Sequence, residues 1–242
     1  MIPAPAFLTN PERFMAFSRW AAPLFGVIAA GLALAGLWLG FTAPEDYQQG
    51  MTVRIMFIHV PAAQISMFAY LCLGVASFLA LVFRHALADA AAQAAAPLGA
   101  AFTFLALATG SLWGRPMWGA WWVWDARLTS VLVLFMFYIA YMALRASLDD
   151  EAKAARASAI LALVGLVNLP IVHYSVEWWN SLHQGSSIFA KGGPAMPAVF
   201  LTPLLLMSLA YLAAFGSLWL VRIRGEVWRR RAESASLRVA RA

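Results

Sequence analysis

The run WAAPLFGVIAAGLALAGLWLGF, residues 20–41, holds no charged side chain across 22 positions. A helix rising about 1.5 Å per residue makes such a run long enough for the roughly 30 Å hydrocarbon core of a bilayer. Five more runs follow at 61–83, 98–112, 128–144, 157–174 and 198–221, nearly uncharged throughout. The run 98–112 is short, and Asn168 with Pro170 predicts a kink near the far end of 157–174. A composition of 63% hydrophobic and 12% charged residues excludes an ordinary soluble domain. The predicted fold class is all-α: a polytopic integral membrane protein, a bundle of six transmembrane helices.

The segments between spans divide the chain. Residues 1–19 read as a cytoplasmic interfacial lead-in, where Asn10 caps a short helix, Pro11 suits its first position, and Phe14, Met15 and Phe17 give an apolar side. Residues 20–221 are the six-span membrane domain, and 222–242 a basic tail. A short Ala-rich link with Asp89 and Gln93 precedes Pro97, and Asp149 to Arg156 make a charged turn. Six spans put both termini on one side. That side carries thirteen of the seventeen Lys and Arg, while Arg54, Arg115, Arg127 and Lys191 lie opposite. By the positive-inside rule both termini are cytoplasmic, and the loops 42–60, 113–127 and 175–197 face outward. The net charge of +6 then reflects topology and attraction to anionic lipid, and no nucleic-acid partner is needed. The single Cys72 excludes an internal disulfide, a Cys-pair zinc site and a C-x-x-C-H haem attachment; in its apolar run it reads as a packing residue. The first apolar segment exceeds an ordinary signal h-region, so no cleavable signal is expected.

The middle outer loop is Trp113-Gly-Arg-Pro-Met-Trp-Gly-Ala-Trp-Trp-Val-Trp-Asp125, five tryptophans in thirteen residues. If residues 118–125 are helical, Trp118, Trp121, Trp122 and Asp125 at i, i+3, i+4 and i+7 share one face. That face would be a flat aromatic shelf ending in a carboxylate. An interfacial aromatic belt needs only scattered rings. Five in one segment point instead to a platform for a large flat π-system.

The same outer face receives His59 from the first loop and His183 from the third. Neutral imidazole suits the axial positions of iron in a flat macrocycle. Arg54 and Arg127 lie close in sequence to His59 and Asp125, and a guanidinium can pair bidentately with carboxylates such as haem propionates; anchoring at phospholipid headgroups is the competing reading. Asp125 is open between ligand contact and bracing of its loop, with Arg127 or Arg115 as partner. Glu177 and Asn180 are candidate braces of the third loop. His85, among Arg84 and Asp89, reads as solvated. His173 is open between ligand, support for a ligand, and a polar residue packed between helices.

The tryptophan run with its continuation Ala126-Arg-Leu-Thr-Ser130 closely resembles the tryptophan-rich WWD signature of the haem-handling membrane proteins. With the His59-Val-Pro-Ala context, Ser175-Val-Glu-Trp-Trp-Asn-Ser-Leu-His-Gln-Gly185, the length and the six spans, the chain is most similar to the CcmC family of cytochrome c maturation. The resemblance covers nearly the whole chain. It implies a non-enzymatic protein of the bacterial inner membrane that binds transferable, non-covalent haem b at the periplasmic face. His59 and His183 would be the axial ligands. Trp113, Trp118, Trp121, Trp122, Trp124 and Asp125 would form the cradle, with Arg54 and Arg127 beside it. The implied partners are the haem chaperone CcmE, the ABC transporter subunits CcmA and CcmB, and the small membrane protein CcmD. The chain has no phosphate-binding G-x-x-x-x-G-K-[ST] loop, in line with ATP being used elsewhere. A b-type cytochrome subunit of a redox enzyme is the alternative, though it would usually bury paired histidines at two depths. A lipid-linked polymerase or transporter would more plausibly carry charges within its spans.

Overall fold

The computed structural model describes residues 10–183 and 196–239. Lead-in positions 1–9, the part of the third loop at 184–195 and tail positions 240–242 lie outside the described residues. Seven α-helices and one short 3-10 helix make up the described chain. They are α1 (Pro11–Thr42), the 3-10 helix Met51–Ile55, α2 (Met56–Phe83), α3 (Ala86–Trp118), α4 (Ala126–Ser147), α5 (Glu151–Gly165), α6 (Asn168–Trp178) and α7 (Ala198–Val239). Taking α5 and α6 as two halves of one span, six segments are long and apolar enough to cross a membrane. The protein is an all-helical, polytopic bundle.

Local chemistry sets several helix ends. Asn10 accepts the Glu12 N–H at 2.9 Å and Pro11 starts α1, so the lead-in helix and the first span are one continuous rod. Arg84, at φ 52°, reverses the chain after α2. His85 then caps α3 through Nδ1, which accepts the Ala88 N–H at 3.2 Å. This half-buried cap replaces the solvated histidine expected from sequence. The Ala-rich link is also helix: alanine has the highest helix propensity, and α3 runs unbroken from Ala86 through Pro97. The fifth span breaks at Leu166 and Val167, just before the residues expected to kink it. Asn168 stabilises the break by donating to the Ser130 carbonyl at 2.9 Å.

The core lies between α2, α3, α4 and α5 around Tyr70, Leu73, Leu134, Tyr138 and Tyr141. In a membrane, helices gain by close packing more than by hydrophobic burial, so small residues sit at contacts. Gly99 of α3 is one such contact: a Cβ there would collide with the Tyr138 ring, whose hydroxyl donates to the Ser66 carbonyl at 2.7 Å. α1 packs along α7 and turns Trp20, Val27, Leu34 and Trp38 outward as an apolar stripe.

The two ends of the bundle differ in chemistry. At one end Asp89 holds Arg145 and Arg230, Arg229 reaches Glu151, and Arg231 reaches Glu12. These pairs bring together the starts of α1, α3 and α5, the end of α4 and the tail of α7. At the other end the 3-10 helix, the start of α2, the end of α3 and the end of α6 meet around the aromatic residues.

Candidate haem-binding site

The tryptophan segment is half helix and half extended chain. α3 carries Trp113 and Trp118 and stops where Gly119 takes φ 77° and donates its N–H to the Arg115 carbonyl at 3.1 Å. Only glycine adopts that conformation without cost. Residues 120–125 are not helical, so the single helical face of Trp118, Trp121, Trp122 and Asp125 does not form. The loop is drawn back instead: Ser111 donates to the Trp121 carbonyl at 2.5 Å, and Arg115 donates to Gly119 at 2.6 Å while lying over the Trp121 ring. Trp122 and Trp124 meet edge to face at 5.4 Å. Trp121 and Trp124 remain exposed.

His59 sits in the first turns of α2, facing α3. Its Nδ1 lies 3.0 Å from the Ala106 carbonyl and 3.1 Å from the Thr109 hydroxyl. A carbonyl only accepts, so Nδ1 carries the proton and Nε2 keeps its lone pair. The ring packs edge to face on Trp113 at 5.7 Å. Gly110 makes room for it, since a Cβ there would come within 2.9 Å of Cε1.

His183 is held by the same device from another direction. Its Nδ1 is 3.0 Å from Asp125 Oδ2, and its ring meets Trp118 edge to face at 4.9 Å. Ser181 donates to Asp125 Oδ2 at 2.7 Å and accepts the His183 N–H at 3.1 Å. The other oxygen, Oδ1, accepts the Leu128 N–H at 2.8 Å and so caps α4. Burial would raise the Asp125 carboxyl, but the Leu128 N–H, Ser181 and His183 outweigh it and hold it below the usual carboxylate range. Burial holds the His183 imidazole below its ordinary value, although Asp125 pulls the other way. The pair is therefore a carboxylate and a neutral imidazole at pH 7, with Nδ1 donating and Nε2 unprotonated.

The two histidines thus flank the last turns of α3, one against Trp113 and the other against Trp118. Arg127 donates to Ser175 at 3.1 Å and to the His173 carbonyl at 3.2 Å, clasping α4 to α6 without pairing to Asp125. Arg54 donates to the Ala43 carbonyl at 3.2 Å, which leaves its buried Nε unpaired among the described residues. The buried indole nitrogens of Trp113 and Trp122 are also unpaired there. Unpaired buried donors are uncommon in folded proteins and point to a polar partner. Glu177 and Asn180 are exposed; the bracing expected of them falls to Ser181. Ser181, Thr109, Ser175 and Gly110 were missed from sequence. Ser181, two residues before His183, was the easiest to find, whereas Thr109 and Gly110 lie some fifty residues from His59 and only packing reveals them. Among the described residues no group of three or more His, Cys, Asp or Glu could chelate a bare ion.

Comparison with known proteins agrees with this architecture. The family described as heme exporter protein C matches residues 5–238. The heme exporter protein C of Bradyrhizobium diazoefficiens is 54% identical over 230 residues, covering 95% of this chain and 88% of that protein. That of Escherichia coli is 48% identical over 219 residues, covering 90% of this chain and 88% of its own. A putative cytochrome c biosynthesis ccmC-like mitochondrial protein of Marchantia polymorpha is 40% identical, covering 90% of this chain and 92% of its own. Matches of this extent leave one conclusion: the chain belongs to the heme exporter protein C family, CcmC.

Proposed function

We propose that this chain handles haem for cytochrome c biogenesis, holding it at the periplasmic end of the bundle between His59 and His183. The observation that carries this reading is shared by both imidazoles. Each has Nδ1 tied to an acceptor, Ala106 or Asp125, and among the described residues neither Nε2 has a protein partner. A ligating histidine is typically fixed in this way, its other nitrogen donating to a carbonyl or carboxylate. The indole N–H groups of Trp113 and Trp122 and the Arg54 Nε, unpaired among the described residues, would supply donors for a polar-edged cargo, and Trp121 and Trp124 supply exposed aromatic surface. Haem is cargo here and is bound without a covalent link, as non-covalent haem b. Asp125 acts as a positioning residue for His183 and does not itself touch the haem. Arg127 clasps α4 to α6, and Arg54 is the better placed of the two arginines to meet a propionate.

The exposed rim around Trp121 and Trp124 is where the chaperone CcmE would collect its haem. CcmA, CcmB and CcmD would complete the assembly in the bacterial inner membrane. An electron-carrying b-type cytochrome is less well supported, because both anchored imidazoles lie at one end of the bundle.

The test is an absorption spectrum of the purified protein, oxidised and reduced. His59→Ala and His183→Ala should each lose one axial bond and change a low-spin spectrum, and coexpression of the chaperone should deplete it. Wild-type spectra in both variants would overturn the ligand assignment.

A further inference from the structure

The structure holds a second imidazole-bearing recess outside the site just described. A groove of about 300 Å³ runs down the side of the bundle between α2 and α6. Met67, Phe68 and Leu71 form one wall, and Leu169 and Pro170 of the broken span form the other. His173 lines it and is exposed. Its ring meets Tyr174 edge to face at 4.6 Å, and Tyr174 stacks on Trp178 at 5.3 Å, the last residue of α6. Among the described residues the hydrogen bond made at this position is to the backbone carbonyl, from Arg127, and neither ring nitrogen is engaged. His173 stands five residues before the end of α6, about 7 Å along the helix axis from Trp178.

An ionisable side chain on the lipid-facing side of a span is costly and marks function more often than structure. An acyl chain would fill the apolar walls but leave the imidazole unused. A flat apolar macrocycle carrying a metal would use both, its plane against the walls and its metal at an imidazole nitrogen. Haem, the cargo proposed above, is such a ligand and would reach the groove from the membrane. The groove is also linked to the candidate transfer site by a chain of hydrogen bonds. Arg127 binds the His173 carbonyl and Ser175 from the helix that Asp125 caps, and Asp125 holds His183. We propose that the groove between α2 and α6 is a lateral entry station, in which His173 transiently ligates membrane-dissolved haem on its way to His59 and His183. This proposal rests on the haem-handling reading above.

The experiment uses the full-length protein in lipid nanodiscs, loaded from vesicles containing hemin. His173→Ala and His173→Gln should reach the wild-type final spectrum but load more slowly by roughly tenfold, in the range that losing a supporting ligand costs. A second measurement removes the transfer site. The His59→Ala/His183→Ala protein should still take up hemin with a weaker imidazole-ligated spectrum, abolished when His173→Ala is added. Wild-type loading rates in both His173 variants, or a residual spectrum indifferent to His173, would overturn the entry station. If instead the double variant kept the full wild-type spectrum and His173→Ala alone removed it, the transfer-site assignment would be the one that fails.

Discussion

Asp125 uses its two oxygens for different tasks, one capping α4 and the other orienting His183. Asp125→Ala should therefore lose both, with about 0.5–2 kcal/mol of stability from the cap alone. Asp125→Asn keeps an oxygen for the cap and removes the charge behind the imidazole. Both variants should retain hemin less well, by roughly 10–100-fold, as expected for loss of a group supporting a ligand. Hemin titration and thermal denaturation together separate the two tasks. The pH profile follows from the same pair. The His183 value is lowered below the ordinary 6.5, so the neutral imidazole persists at and above 6.5 and is lost only as pH falls through the lower value. Haem affinity should be flat from neutrality down to that point and then fall. Because Asp125 opposes the lowering, Asp125→Asn should push the acid limb to still lower pH even as it weakens binding. The carboxylate adds stability that is complete above its unfolded value and is lost as pH falls through its depressed one. The candidate ligands His59 and His183 were legible as residues, because imidazoles beside a tryptophan cluster are chemically conspicuous. The task of Asp125 was not. A carboxylate at the end of an aromatic run looks the same on paper whether it faces a ligand, an arginine or a helix start.

α3 shows where sequence periodicity succeeds and where it misleads. Hydropathy revealed every span because the cost of charge in a bilayer is large and local. It missed where α3 starts and stops. The Ala-rich stretch after Ala86 is too small and polar to read as a span, yet it is helical and its residues Ala90, Ala92, Ala94 and Ala95 are buried against neighbours. At the other end, the spacing of Trp118, Trp121, Trp122 and Asp125 matched a helix, but Gly119 and the capping preference of Asp125 decided the backbone. The same helix offers a direct test of how closely His59 is seated. A methyl group at Gly110 would lie 2.9 Å from His59 Cε1, so Gly110→Ala must displace the imidazole or shift α2 from α3. The expected cost is about 1–3 kcal/mol of overpacking. A lowered thermal midpoint in detergent with an altered haem spectrum would fit. An unchanged spectrum would show that the ring is free to move, against its hydrogen bond to Ala106.

The bundle gathers its salt-bridge network at one end and its tryptophan cluster with His59 and His183 at the other. Asp89 is central to the charged end: its carboxylate receives both guanidinium nitrogens of Arg145 at 2.7 Å and also meets Arg230, so one residue of α3 ties α4 to α7. The Arg145 side chain is only 7% exposed. Asp89→Ala would leave it buried without a counter-charge, at a cost of about 3–5 kcal/mol. That loss should lower the thermal midpoint while leaving the spectrum of the folded haem-bound protein unchanged, because the site lies at the opposite end. Sidedness can be tested independently. Glu12, Asp89, Arg145, Glu151 and Arg229 to Arg231 converge at one end, which gathers the basic residues that the positive-inside rule assigns to the cytoplasm. A reporter phosphatase active only outside the cytoplasm should work when fused within the loop after Trp118 and fail when fused after Arg231. Replacing Arg229, Arg230 and Arg231 with neutral residues should weaken the asymmetry without reversing it, because Arg84, Arg145, Lys153 and Arg156 remain on the same side. Phosphatase activity at the tail but not at the tryptophan loop would invert the molecule and place the histidines in the cytoplasm. Transfer to a periplasmic chaperone would then be impossible.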